Sequence, residues 1–239
     1  MALLTVDHVR VEFGGIVALA DLSFTVDEGE ICALIGPNGA GKTTLFNCVS
    51  RLYDVNEGDI EFDGHDLLAL PAHRIARAGI ARTFQNLALF PALTVAQNVM
   101  VGAHSRGGSS RAGRVEALDL LRRLGIVDLA DHPAAGLPYG TLKRVEIARA
   151  LAARPKLLLL DEPAAGLTHS EVDELGDLVR TIRADFHLSV LLVEHHMAMV
   201  MAISDKIVVL DFGSQIAEGG PEEIRDNPRV IEAYLGTPQ

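Results

Sequence analysis

Apolar and polar positions divide the chain into three stretches with different periods. In the first third, "LTVDHVRVEF" and "ALADLSFTVDEGE" are strand-like, punctuated by acids and glycines. "EICALIG" is a short, nearly all-apolar run, which predicts a strand buried on both faces. It runs through "PNGAGK" into "TTLFNCVSRL", a helical pattern, and "GDIEFDG" predicts another short strand. From about Pro71 to Ala153 the pattern becomes more helical. Thr94 and Gln97, three apart in "TVAQNV", form a capping-box start. "GRVEALDLLRRLGI" places apolar residues at helical spacing. Just before it, "HSRGGSSRAG" predicts a flexible Gly/Ser/Arg-rich loop.

The last third alternates again. "KLLLLDEP" and "LSVLLVEHH" predict buried strands. Between them "HSEVDELGDLVRTIRADF" predicts an amphipathic helix, with Ser170 as its N-cap. "KIVVLDFGSQIAEG" predicts a hairpin, and the short helices "PEEIRDN" and "PRVIEAYLG" follow it. Buried strands alternating with helices predict an α/β fold with a mainly parallel sheet. The middle helices interrupt the alternation and predict an inserted subdomain. No internal repeat is present.

A chain of 239 residues suits one large or two small domains and is long enough to bury a core. Its net charge of −11 argues against nucleic-acid binding, which needs a basic face. It does not argue against a nucleotide site, because loop amides and a single lysine can hold phosphates on an acidic protein. Cys32 and Cys48 form no CxxC, and two buried thiols in a reducing compartment are expected. The N-terminus lacks the basic n-region of a secretory signal. The longest apolar runs, such as "MAMVMAI", fall far short of a membrane span. A cytoplasmic chain able to dock on a membrane protein is expected.

The chemistry concentrates in two segments. "GPNGAGKT", Gly36 to Thr43, matches G-x-x-x-x-G-K-[ST] between a buried strand and a helix. The small residues Gly36, Gly39, Ala40 and Gly41, with Pro37 and Asn38, would let loop amides face phosphates, with Thr44 next in the helix. Lys42 would reach the β- and γ-phosphates, and the Thr43 hydroxyl would ligate Mg²⁺. "LLLLDEP" brings Asp161 to the C-terminal end of a strand, where open α/β sheets bind ligands. Asp161 would hold Mg²⁺, and Glu162 would polarise the attacking water. ATP and Mg²⁺ are the expected cofactors.

The ordered set of phosphate loop, Gln85 in "RTFQNLALFP", "LPYGT", "LLLLDEP" and His195 in "LLVEHH" resembles the nucleotide-binding subunit of an ABC transporter. The resemblance covers nearly the whole chain. It implies one ABC ATPase domain over 1–239, with an N-terminal antiparallel β region. Its P-loop core would take about 1–85 and 154–239, and its helical subdomain about 86–153. It implies that Phe13 stacks on adenine, although a plain core role at a strand end is the alternative reading. Gln85 would be the hinge glutamine that touches Mg²⁺. His195, directly after Glu194, would be the switch histidine at the γ-phosphate, in preference to His196. Leu137, Pro138, Tyr139, Gly140 and Thr141 align with the family's signature, which grips the ATP of a partner chain. Pro138 removes the usual serine hydroxyl and a backbone N–H. Gly140, Thr141 and the N-terminus of the helix "LKRVEIARAL" remain as the binding device.

The Tyr-Gly signature resembles the ATPases of branched-chain amino-acid importers. The stretches after Ile80 and Asp161 and the final "AYLG" agree with that branch. Two features depart from it. Thr168 stands where the D-loop usually ends in Asp, so it could hydrogen-bond across a dimer without carrying charge. "HSRGGSSRAG" is shorter than its counterpart in much of the branch. The implied partners are a second ATPase chain, identical or related, in a head-to-tail dimer, together with membrane permeases and, indirectly, a solute-binding protein. No nucleic acid is implied. The implied place is the cytoplasmic face of the inner membrane. "LALFPALTVAQNV" is the candidate dock, or else subdomain core. An envelope-lipid exporter and a soluble ATPase driving a scaffold, as in iron–sulfur cluster assembly, are the competing functions.

Overall fold

The computed structural model describes residues 1–85, 87–106 and 110–235. The chain opens with two long strands, β1 (Ala2–Phe13) and β2 (Ile16–Asp27), followed by β3 (Ile31–Ile35). Helix α1 (Lys42–Val49), β4 (Glu57–Phe62), β5 (His65–Asp66), α2 (Ile75–Ala78) and β6 (Ile80–Arg82) come next. Three helices then run almost without strands: α3 (Val95–Ala103), α4 (Ser110–Arg123) and α5 (Tyr139–Leu151). The last third contains β7 (Leu157–Asp161), α6 (His169–Phe186), β8 (Ser189–Val193), α7 (Met197–Ile203), β9 (Lys206–Asp211), β10 (Ser214–Gly219), α8 (Pro221–Arg225) and α9 (Pro228–Leu235).

Two sheets result. One is antiparallel, in the order β2-β1-β4-β5. The other has the order β10-β9-β3-β8-β7-β6 and is parallel except for the β9–β10 hairpin. Every residue of β3, β7 and β8 is buried, which explains why they are apolar apart from Asp161 ending β7 and Ser189 opening β8. Helix α1 lies between the sheets, its Leu45, Phe46 and Val49 in one core with Leu4, Leu22, Leu159 and Leu191. The opposite face of the parallel sheet packs on α6 and on the α3–α5 helices through Leu121, Val145, Leu160 and Val179. A smaller core seats α7, α8 and α9 on β3 and β9. Cys32 and Cys48 are free and buried, and burial pushes the Cys48 thiol up to about 11. No helix among the described residues is long and apolar enough to cross a membrane.

Local readings of the pattern need correction in four places. Strand β6 runs through the stretch expected to be helical; its three residues are too short to show a period. Helix α4 begins at Ser110, so the end of "HSRGGSSRAG" is helical and His104–Arg106 is a 3₁₀ turn, while 107–109 lie outside the described residues. Gly236, the end of the "AYLG" motif, also lies outside them. Helix α5 starts at Tyr139, so Gly140 and Thr141 belong to its first turn.

The fourth correction concerns the cap of α6, which is Thr168 and not Ser170. Glu171 Oε2 accepts from the Thr168 N–H at 2.8 Å and from its hydroxyl at 2.7 Å. Those two bonds hold the Glu171 carboxyl below its usual range. The Thr168 hydroxyl is therefore committed within its own chain. Thr168→Ala should cost about 1 kcal/mol of unfolding free energy, and Ser170→Ala only a few tenths, in urea titrations of the two variants.

Candidate functional site

The site lies at the carboxyl ends of β3, β8 and β7, and the order of the sheet explains its composition. β3 leads into the phosphate loop, β7 ends at Asp161, and β8 lies between them. Gly36 has φ 150°, and a Cβ there would lie 2.1 Å from the Leu210 carbonyl oxygen on β9. No side chain fits, so the loop can leave β3 only through glycine. Gly41, with φ 100°, precedes α1, whose first turn has neither a capping side chain nor an acid. Free amides and the positive end of the helix dipole are left facing the loop.

Lys42 Nζ folds back onto the carbonyl oxygens of Gly36 (2.7 Å) and Pro37 (2.9 Å). Burial lowers its pKa, and the nearby Glu162 charge opposes that shift. Asn38, Gly39 and Thr43 are exposed, Pro37 and Thr44 half-buried, and Ala40 is buried. Asn38 to Thr44, Ala18 and Glu162 line a cleft of about 180 Å³.

Glu162 is the meeting point. Gln85 Nε2 donates to its Oε2 at 2.7 Å, and His195 Nε2 faces its Oε1 at 2.9 Å. A carboxylate only accepts, so His195 carries its proton on Nε2. Glu162 itself has φ 47°, in the left-handed region, a strain of about 1 kcal/mol that recurs at functional sites. His196 does not reach Glu162; it is the N-cap residue of α7. Asp161, buried, pairs with Arg82 at 2.7 Å through Oδ2.

Phe13 is 45% exposed, so the core reading of this residue is wrong. It meets Tyr53 edge-on, ring centroids 5.1 Å apart. Tyr139, Gly140 and Thr141 lie outside the phosphate-loop cleft. The first helical bond of α5 runs from Leu142 N–H to the Pro138 carbonyl oxygen, so the three preceding amides have no acceptor within the helix. A Cβ on Gly140 would lie 2.8 Å from Glu171 Oε1, and one on Gly166 would lie 3.3 Å from the Tyr139 ring. The signature thus packs on Gly166 and on the first turn of α6 of its own chain, away from its own phosphate loop.

The ABC transporter family model matches residues 19–165. A second model, described as branched-chain amino acid ATP-binding cassette transporter, matches residues 214–238. This chain belongs to the ABC transporter ATPase family. As such it binds and hydrolyses ATP. It is 42% identical to the high-affinity branched-chain amino acid transport ATP-binding protein BraF of Pseudomonas aeruginosa, over 98% of both chains. An ATP-binding cassette of an ABC transporter, crystallised in its ADP conformation, superposes with a TM-score of 0.90 at 30% identity. That match covers 99% of this chain and all of the other. A dimeric post-hydrolysis cassette bound to ADP and Pi gives a TM-score of 0.81 at 27% identity, covering 91% of this chain and 98% of the other.

Three contributors to this ABC cassette escaped the sequence reading. Arg82 also bonds Asn47 on α1 (2.8 Å) and Ser50 at its C-cap (3.1 Å), and lies over the Phe46 and Phe84 rings. Glu194, 1% exposed, accepts from the N–H groups of Ala164 (2.6 Å), His195 (2.8 Å) and His196 (3.1 Å). It staples the loop after β7 to the loop after β8 and so sets Glu162 against His195. Tyr53 supports Phe13. Only the "ART" before Gln85 and the acid ending β8 hinted at the first two, and nothing marked Tyr53. Removing one partner of a buried ion pair leaves an uncompensated charge. Arg82→Met should therefore lower unfolding free energy by about 3 kcal/mol, measured by chemical denaturation.

Proposed function

We propose that this chain is the ATPase of a membrane importer for branched-chain amino acids, and that Glu162 polarises the water that attacks ATP. The observation that carries the mechanism is the convergence of Gln85 and His195 on the two oxygens of Glu162, beside the phosphate loop. The cargo reading is supported by the family model over residues 214–238 and by the similarity to the Pseudomonas branched-chain amino acid transport protein.

The cradle suits a polyphosphate. Lys42 occupies two loop carbonyls that a phosphate would replace as its partner. The open side of Gly39 has nothing within 4 Å of a built Cβ. Phe13, exposed beside Tyr53, would offer its face to adenine. No group of three or more His, Cys, Asp or Glu side chains that could hold a metal occurs among the described residues. A divalent cation would rely on the phosphates and on the oxygens of Thr43, Gln85 and Asp161, hard donors that suit Mg²⁺. Bound there, Mg²⁺ would neutralise charge between the β- and γ-phosphates. Asp161 keeps Oδ1 for that role, since Oδ2 is taken by Arg82.

The phosphate-loop cleft contains no signature residue. Two chains closing head-to-tail would complete each other's sites, with the free amides of Tyr139, Gly140 and Thr141 facing the partner's γ-phosphate. The core would comprise about 1–85 and 154–239, and the helical subdomain 86–153 would carry the signature. Closure would move the permeases on the cytoplasmic face of the membrane.

The dock for a cytoplasmic helix of a permease is the apolar groove of about 490 Å³ lined by Leu52, Ile75, Phe84, Ala88 and Phe90. The stretch "LALFPALTVAQNV" divides in two. Phe90 is 49% exposed, while Val95, Ala96 and Val99 are core. Asn98, fully buried, accepts from the Phe90 N–H (2.8 Å) and donates to its carbonyl oxygen (3.0 Å), which holds the ring outward.

Glu162→Gln should lower kcat about 100-fold or more while ATP affinity stays. The variant should accumulate as a closed dimer on size exclusion with MgATP, and unchanged hydrolysis would remove Glu162 from its role. Phe90→Asp should cut recovery of permeases with the tagged chain about tenfold. Nucleotide binding measured calorimetrically should be unaffected; its loss would return Phe90 to the core.

A further inference from the structure

One face of α5 carries three charged side chains in a row, Lys143, Glu146 and Arg149, and all three point into the segment that holds Gln85. Lys143 Nζ donates to the Gln85 carbonyl oxygen at 3.5 Å, and Arg149 Nη1 donates to that of Ala88 at 2.5 Å. Glu146 Oε1 accepts from the Phe84 N–H at 3.2 Å. The Ala88 backbone also lies close enough to favour the ionised carboxylate. Glu146 is 1% exposed, and its Oε2 has no hydrogen-bond partner among the described residues. Its two cations stand off at 3.9 Å (Lys143) and 3.8 Å (Arg149).

A carboxylate in such a place is costly for stability. Burial raises its pKa against the pull of the loop N–H groups and both cations. An apolar side chain would fill the position at lower cost. What Glu146 supplies is an acceptor for backbone that no sheet or helix satisfies. Phe84, Gln85, Leu87 and Ala88 lie between β6 and α3, outside any regular element.

We propose that Glu146 is a positioning residue that locks the Gln85 loop to the signature helix, so that Gln85 meets Glu162 only when α5 is correctly placed. The connection is short. Gln85 touches Glu162, its flanking backbone is held by α5, and the same helix begins with Tyr139, Gly140 and Thr141. A movement of the signature is thereby felt at the proposed water-polarising group within one chain. The inference rests on the proposed role of Gln85.

The test uses the full-length chain with MgATP. Glu146→Leu removes the acceptor and keeps the volume, and Glu146→Gln keeps an acceptor oxygen. The leucine variant should lose about tenfold in kcat, well inside the ~100-fold that a small misplacement can cost. ATP affinity should stay constant, and the glutamine variant should keep most of the rate. Amide exchange at Phe84 and Ala88 should accelerate in the leucine variant, with Gly39 and Gly41 unchanged. Gln85→Ala alone should lower kcat, and adding Glu146→Leu to it should cost less than about twofold more. Fully additive losses, or a leucine variant with normal rate and exchange, overturn the inference. A normal rate in Gln85→Ala instead overturns the role of Gln85 itself. Should the leucine variant fail to fold, Glu146→Asp replaces it. One methylene shorter, it must deprotect Phe84 where glutamine does not, and equal protection in both overturns the clamp.

Discussion

The parallel pairing of β3, β8 and β7 is the constraint on which the rest depends. Leu157 to Asp161 pair with Ser189 to Val193, and Ile31 to Leu34 pair with Val190 to Val193. Parallel strands in this register end at one edge, so the phosphate loop, His195 and Glu162 arrive side by side although far apart in sequence. A slip of one residue would turn every side chain of a strand to the opposite face. Both faces are apolar here, so hydrophobicity alone would tolerate the slip. The polar groups at the strand ends hold the register. Glu194 can accept from Ala164, His195 and His196 together only when β8 ends level with β7.

Buried charge does the same work elsewhere. Asp161, Glu146 and Glu194 lie within a mainly apolar interior, and each meets backbone or a cation at a loop. Desolvating a carboxylate opposes folding, and good pairing roughly offsets that loss. Their contribution is geometric. Loops between buried strands and helices have amides that no ladder satisfies, and a carboxylate can accept several at once. The left-handed φ of Glu162 fits this picture. Its N–H donates to Val193 at 2.9 Å, and two side chains hold its carboxylate, so its surroundings determine the strained conformation.

Much of this was legible because it follows from period and local motif. The all-apolar "ICALI" and the four leucines before Asp161 predicted doubly buried strands, and the G-x-x-x-x-G-K-T spacing marked the loop between β3 and α1. What escaped notice depends on partners distant in sequence. Arg82 reads as a polar residue until β6 pairs with β7 and brings it to Asp161. Glu146 reads as a solvated helix position, since an isolated helix does not show that its flank will be covered by the backbone of Phe84, Gln85 and Ala88. The Ser170 cap failed for a local reason. Thr168 caps the helix two residues earlier, with Glu171 reaching back to its N–H and hydroxyl, and that pair outcompetes a lone serine.

The substituted signature becomes intelligible from the same geometry. A serine hydroxyl is one donor among several, and Pro138 removes it together with an N–H. Yet the proline also fixes the turn so that α5 starts at Tyr139 with its first amides uncommitted. A helix N-terminus binds anions through those amides and the dipole, with no side chain required. This suits a protein of net charge −11, which must attract a polyanion by local backbone dipoles and not by its overall field. Helix α5 therefore has two separable surfaces. The amides of its first turn are uncommitted within the helix, and its flank is committed to the Gln85 loop of its own chain. Because one rigid element holds both, contact at the first surface can reach the second without rearrangement inside the helix.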